Sequence, residues 1–212
     1  MQKFSTALTS QMSKYLLLVI VLVLLRIADT ADGVLIDNLD GTITDTDFDI
    51  MWLKNANLAG IAMTWDEAVS WAENLISAGY NDWRLPTALN YDGSGPEGGF
   101  NLTGTEMGHL YYDELSNPAH GPLVNTGPFI NVPESVPPCY GRYWLGEEIY
   151  PFSAGAWMFG FTNGSQGINA KTQAAHAWAV RTIPEPATIC VLGLGALVLR
   201  KRTILGRNKQ KG

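Results

Sequence analysis

Short apolar runs broken by turn residues dominate the middle of this chain, and only two stretches show the wider spacing of a helix. Residues 34–36, 42–44 and 50–53 (Val-Leu-Ile, Thr-Ile-Thr, Ile-Met-Trp-Leu) read as three strands. The first two flank Asn38-Leu39-Asp40-Gly41, and Asp-Gly between β-formers predicts a hairpin. Ala68, Trp71, Ala72 and Leu75 fall at i, i+3, i+4 and i+7, the pattern of a helix with one face on a core. Thr64 and Glu67 form a capping box at its start, where Asp66 and Glu67 also suit the positive end of the helix dipole, and Gly79 is the expected stop. A second box, Thr103 with Glu106, predicts a helix carrying Met107, Leu110, Tyr111 and Leu115. Beyond it the pattern returns to β. Residues 143–147 read as a strand, and so do residues 156–161, with Trp157, Phe159 and Phe161 on one face. A turn follows at Asn163-Gly164, and residues 176–181 form a closing strand with Trp178 and Val180 inward.

Between the two helices lies Asn81-Asp82-Trp83-Arg84-Leu85-Pro86-Thr87. Pro86 fixes its own φ and biases Leu85 toward extended backbone, so Trp83 and Leu85 share one side and Arg84 takes the other. Trp83, Arg84, Leu85, Pro86 and Thr87 are therefore expected to be the structural hub. The Gly-rich stretch 91–101 reads as a loop. Residues 118–141 carry Pro118, Pro122, Pro128, Pro133, Pro137 and Pro138, and an irregular segment of that length is the expected ligand surface.

Charge sharpens the picture. Residues 29–183 hold nineteen Asp and Glu against Lys54, Arg84, Arg142, Lys171 and Arg181, a net −14. Such a domain repels phosphate backbones, so nucleic-acid partners are disfavoured. The other nine bases sit at the ends. Residues 1–31 read as an export signal, with Lys3 and Lys14 before an apolar run from Tyr15 to Leu25 and small residues near Ala28 and Ala31. An uncleaved anchor is the alternative. At the other end, Pro184-Glu185-Pro186 precedes thirteen uncharged residues, 187–199, and then the basic tail 200–212 that opens Arg200-Lys201-Arg202. Thirteen residues span only about 20 Å as a helix, a marginal membrane anchor held by a basic cluster on the cytoplasmic side.

Cysteine and histidine usage is sparse. Cys139 is the only cysteine within the domain, Cys190 lying in the apolar tail, so no disulfide forms inside it and seven tryptophans must supply the bulk of the core. Cys139 reads as a partly buried free thiol. His109 lies in the second helix, His120 in a loop and His176 at a strand start, and their scatter makes no zinc signature. Asp37, Asp40, Asp45, Asp47 and Asp49 fall within thirteen residues. They fit either turn structure or a Ca²⁺ site built on Asp37, Asp40 and Asp45, although Leu39 replaces an oxygen donor and no Glu closes the loop. A carboxylate hydrolase would need a converging acidic pair. Glu147 with Glu148, or Asp113 with Glu114, are adjacent in sequence and face apart on a strand or helix.

Two resemblances add to this reading. The order Pro184-Glu185-Pro186, apolar run, Arg-rich end resembles the PEP-CTERM sorting signal of Gram-negative bacteria, with a longer basic tail than usual. That resemblance implies processing by an exosortase, an inner-membrane-anchored precursor and a final place in the envelope or in an extracellular, biofilm-like matrix. The second runs through Asp40-Gly41-Thr42-Ile43-Thr44-Asp45, Met51-Trp52-Leu53, Met63-Thr64-Trp65, Gly79-Tyr80-Asn81-Asp82-Trp83-Arg84-Leu85-Pro86-Thr87, Tyr143-Trp144 and Ala177-Trp178-Ala179-Val180-Arg181. It resembles the C-terminal-domain family of the Legionella collagen-like adhesin, Lcl, over residues 32–183. This implies an α+β fold related to the C-type lectin-like and sulfatase-modifying-factor folds: a twisted, mainly antiparallel sheet, two short helices and long loops. It implies a binding or structural module for carbohydrate or surface protein, with no catalytic residues to carry over. Two departures stand out. Sulfated glycans, the adhesin's ligands, do not suit a −14 domain, and Phe48-Asp49-Ile50 stands where the family often has Thr-Gly-Leu. Cys139 alone also lacks the pair that the oxidase branch of the related fold uses. The expected functions are thus a sorted surface or matrix binding module, a secreted hydrolase, or a purely structural matrix component.

Overall fold

The computed structural model describes residues 34–134 and 139–184. The export segment and the sorting segment beyond Pro184, including Glu185, Pro186, Arg200, Lys201 and Arg202, lie outside the described residues. Among the described residues no helix is long and apolar enough to cross a membrane.

Two antiparallel sheets form the frame. Strands β1 (Leu35–Asp37), β2 (Thr42–Asp45), β3 (Ile50–Leu53) and β7 (Val180–Thr182) lie in the order β1-β2-β3-β7. Strands β4 (Arg142–Glu148), β5 (Gly155–Gly160) and β6 (Ser165–Ala170) form the second sheet in that order. The result is the expected α+β fold with mostly antiparallel pairing and two short helices, but with two sheets in place of one. Central strands β3 and β5 are buried at every position, so both of their faces are covered. This is why Ile50-Met51-Trp52-Leu53 is continuously apolar rather than alternating. Strand β6, Ser-Gln-Gly-Ile-Asn-Ala, has no apolar alternation and was not expected. Its buried Gln166 exchanges backbone hydrogen bonds with Gly99 (2.9 and 2.8 Å) and donates its amide to the Ala88 and Glu97 carbonyls, which fastens the Gly-rich loop to the sheet. Of residues 176–181, only Val180 onward enters a ladder, while His176 makes an isolated bridge to Tyr143.

Helix α1 (Trp65–Glu73) is capped as expected: the Glu67 carboxylate accepts from the Thr64 backbone N–H (2.9 Å) and hydroxyl (2.8 Å). Trp65, Ala68 and Ala72 are buried, with Trp71 and Leu75 half-buried beside them. It ends at Asn74 rather than at Gly79. The Asn74 side chain donates back to the Ser70 carbonyl (2.8 Å), a local competitor that closes the last turn early. Helix α2 (Glu106–His109) is capped by Thr105, whose hydroxyl accepts from the Gly108 N–H, and not by a Thr103–Glu106 box. Glu106 is drawn away by Arg84, as described below. The helix widens at once into a π-helical turn, Leu110–Glu114, closed by the Leu115 N–H to the Leu110 carbonyl (3.0 Å).

Tryptophans stitch these pieces together. Trp65 donates its indole N–H to the Leu145 carbonyl (2.8 Å) while Trp144 donates to the Met63 carbonyl (2.9 Å), a reciprocal pair between the start of α1 and β4. Trp178 donates to the Leu53 carbonyl (2.7 Å) and ties the closing segment to β3. Each such bond adds about 1 kcal/mol net, and orphaning a buried indole N–H costs about 1–3 kcal/mol. Trp178 also sits among Trp52, Phe129, Tyr143 and Phe161, with ring centroids 4.9–5.3 Å away. Phe129 belongs to the proline-rich segment and anchors it to the core, while most of its other described residues stay exposed or half-buried. Its Ile130 pairs with Lys54 and Ala56, and the Asn117 side chain holds Val124 and Asn125. Asp49, at the position where the related family often carries glycine, adopts φ 49°, the left-handed conformation that glycine takes without strain.

Candidate functional site

The Trp83–Thr87 stretch runs between the two sheets. Arg84 exchanges backbone hydrogen bonds with Val180 (2.8 and 2.9 Å), and the Gly146 N–H donates to the Pro86 carbonyl (2.8 Å). Trp83 and Leu85 are buried on one side and Arg84 turns the other way. Its guanidinium grips buried Glu106 through two parallel bonds, Nη1 to Oε2 (2.9 Å) and Nη2 to Oε1 (2.6 Å), and the Thr87 N–H adds a third donor at 2.8 Å. Glu147 accepts from the Thr87 hydroxyl and from the Ala88 N–H (2.6 Å). Strand β4 makes room by bulging: from Trp144–Met158 to Glu148–Ala156 it advances four residues while β5 advances two. A cleft of about 380 Å³ opens here, lined by Val69, Glu73, Arg84, Leu85, Thr87, Gly146 and Glu147. Its two central charged groups are already spent on protein partners.

A different cluster forms where the β2–β3 turn meets the π-helical turn. His109 is only 5% exposed, and its ring stacks on Phe48 at a centroid distance of 4.3 Å. Its Nδ1 lies 3.2 Å from Asp113 Oδ2. Its Nε2 faces Glu114 Oε1 at 3.4 Å, Asp45 Oδ1 at 3.7 Å and Asp47 Oδ2 at 3.7 Å, yet forms no hydrogen bond to any of them. The wide turn explains how two adjacent residues serve one ring: Asp113 at i+4 and Glu114 at i+5 reach opposite nitrogens. Asp45 is fully buried, and burial pushes its carboxyl above the usual range. The nearby His109 ring and the Phe48 and Asp47 N–H groups pull it the other way. Glu114 is pushed up by its burial and by the neighbouring Asp45 and Asp47 charges, against the pull of His109.

The expected Ca²⁺ set comes apart. The Asp37 carboxylate is bound by Lys54 Nζ (2.6 Å), and Asp40 caps its own turn by accepting from the Thr42 N–H (3.0 Å) and hydroxyl (2.6 Å). Only Asp45 of the three joins a group. Among the described residues, the one set of three donor side chains with ligand atoms within 4.8 Å of one another is Asp45, His109 and Glu114. The sequence concealed it because Asp45 lies far from the other two and because His109 and Glu114, five apart, meet only through the π-helical turn. Of the acidic pairs weighed for hydrolysis, Glu147 and Glu148 diverge, the latter pairing with Lys171 (2.6 Å). Asp113 and Glu114 do converge, but across an imidazole. Cys139 is a buried free thiol, and burial pushes its pKa up against the pull of Arg142.

The domain's bases are engaged as well. Lys54, Arg84 and Lys171 are paired as above, Arg181 holds Asp82 (2.7 and 2.9 Å) under the Tyr80 ring, and Arg142 stands over Tyr140. Large aromatics reach solvent mainly at the β4–β5 tip, where Tyr150 is 96% and Phe152 71% exposed, and at Tyr91, on the loop beside Phe48. No curated protein matches the chain well enough to count as a relative. The family model described as Lcl C-terminal domain matches residues 41–181, from the β1–β2 turn to β7, and the chain therefore belongs to the Lcl C-terminal domain family.

Proposed function

We propose that this chain is an exported, non-catalytic binding or structural module of the cell envelope or extracellular matrix, with a C-type lectin-like scaffold. Membership in the Lcl C-terminal domain family supports a surface or extracellular module. The ligand class that fits is a neutral glycan or a surface protein, because four of the five domain bases are held in ion pairs and only the exposed Arg142 stands outside one. The observation that carries the reading is the β4–β5 tip. In a domain that buries most of its aromatic rings, Tyr150 and Phe152 project into solvent as a pair beside Pro151, a surface suited to stacking on sugar faces. Delivery rests on the two terminal segments: export through residues 1–31, then recognition of Pro184-Glu185-Pro186 by an exosortase-type enzyme, with the apolar run and Arg200-Lys201-Arg202 holding the precursor in the inner membrane. A non-catalytic role is supported by the use of Glu147 and Glu148 as structural acceptors.

Glycan arrays and envelope pull-downs with the wild type and with the Tyr150→Ser/Phe152→Ser double variant test this. A ligand captured by the wild type and lost by the double variant, with unchanged urea stability, is the expected result. Equal capture by both proteins removes the tip from the account, and silence of the wild type on both platforms removes the binding function.

A further inference from the structure

We propose that Asp45, His109 and Glu114, with Asp47 as the fourth ligand, form a structural site for one divalent cation of the borderline class, Zn²⁺ foremost. The proposal is independent of the ligand surface above. It begins with the imidazole. Asp113 takes the Nδ1–H (3.2 Å), which leaves a lone pair on Nε2, as in the carboxylate–histidine–metal arrangement that recurs in metalloproteins. Three carboxylate oxygens, from Asp45, Asp47 and Glu114, lie 3.4–3.7 Å from Nε2, so four electron-rich groups gather in a largely buried place. A cation held between them offsets their mutual repulsion.

A proton on Nε2 is the smallest such cation, and the geometry argues against it. A charge-assisted N–H···O bond draws its partners to about 2.7–2.9 Å and aligns with one acceptor. Here the oxygens stay 3.4–3.7 Å away, and Nε2 has no hydrogen-bond partner although it is buried. A metal imposes Nε2-to-oxygen separations of this size, and the ligand atoms of Asp45, His109 and Glu114 all lie within 4.8 Å of one another, with Asp47 as the neighbour that would close the set. Bonds of about 2.0–2.2 Å in a tetrahedron place ligand atoms roughly 3.3–3.6 Å apart. One imidazole nitrogen and three carboxylate oxygens suit Zn²⁺ or Mn²⁺, whereas Ca²⁺ wants about six to eight oxygens. Phe48 fixes the ring plane by stacking, and the π-helical turn aims Glu114 and Asp113 at opposite nitrogens. Such turns recur at functional positions. The Asp47 carboxylate is partly exposed, which gives an ion a way in. An ion held there ties the β2–β3 turn to the end of α2, a cross-link between parts of the chain far apart in sequence.

The test uses the untagged full chain, stripped with chelator and titrated calorimetrically with Zn²⁺, Mn²⁺ and Ca²⁺, with bound metal counted by mass spectrometry. A single equivalent of Zn²⁺ is expected, roughly a hundredfold tighter than Ca²⁺. The Glu114→Gln and His109→Gln variants should each weaken it about tenfold or more, and Asp113→Asn about tenfold. Asp37→Asn and Asp40→Asn should leave it unchanged. Because His109 is buried, circular dichroism accompanies each variant, and Asp47→Asn, at a partly exposed position, serves where His109→Gln fails to fold. A folded wild type that takes up neither Zn²⁺ nor Mn²⁺ stoichiometrically overturns the site. Zn²⁺ binding unchanged in both Glu114→Gln and Asp47→Asn overturns it too, and tighter Ca²⁺ than Zn²⁺ overturns the assignment of the ion.

Discussion

Replacing Arg84 with Met tests whether the Trp83–Thr87 stretch holds the fold through charge as well as burial. The variant keeps most of the aliphatic stem and removes both guanidinium bonds to Glu106. Glu106 then stays buried with the Thr87 N–H as its remaining donor. Breaking a buried pair in this way typically costs about 3–5 kcal/mol. The Arg84 side chain is 38% exposed, so water can reach part of the vacated space, and a discounted loss of about 2–3 kcal/mol is expected. For a domain of this size that lowers Tm by roughly 4–10 °C. Arg84→Lys should recover only part of the loss, because an ammonium cannot reproduce the two parallel bonds. Urea unfolding of the wild type, Arg84→Met, Glu106→Gln and the double variant completes a cycle, with a coupling energy above about 1 kcal/mol expected. An Arg84→Met protein within about 0.5 kcal/mol of the wild type would show that the ion pair does not hold this stretch, since that is the range of an ordinary surface substitution.

Two further predictions concern the same frame. A Cβ on Gly108 would collide with the Leu102 carbonyl and crowd the Thr105 hydroxyl that caps α2, so Gly108→Ala should cost about 2–4 kcal/mol in urea unfolding, and a neutral result would count against the close approach drawn for this helix. Arg181 holds the Asp82 carboxyl below its usual range, so the pair's contribution is present above the unfolded pKa of about 4 and is lost as pH falls through the lower folded value. Urea midpoints of the wild type and Asp82→Asn should therefore differ at pH 7 and converge below about pH 4; a gap that persists in acid would contradict the pairing.

Local chemistry made part of this protein readable before its structure was known. Pro86 dictated the extended run that buries Trp83 and Leu85, and the Thr64–Glu67 box needs only neighbours within one turn. Where distant partners decide, the reading failed. Glu106 looked like the end of a capping box and is instead claimed by Arg84, twenty-two residues upstream. Gln166 marks a strand without hydrophobic alternation, because its role is to bond the Gly-rich loop rather than to pack. Phe129 anchors the proline-rich segment to the core through Trp178, a contact that composition alone did not show. The His109 cluster is the clearest case. The acidic run 37–49 was visible, but only the turn geometry separates Asp45 and Asp47 from Asp37 and Asp40, and only a π-helical turn brings Asp113 and Glu114 to one ring.

We propose that this family member works outside the cytoplasm as a holder rather than a converter. Peptide mass spectrometry of cytosolic, membrane, cell-surface and medium fractions is the decisive test. Peptides from residues 34–183 are expected at the surface or in the medium, without residues 1–31 and with a new C-terminus near Pro184-Glu185-Pro186. Recovery of the intact chain, both ends retained, from the cytosol alone would contradict it.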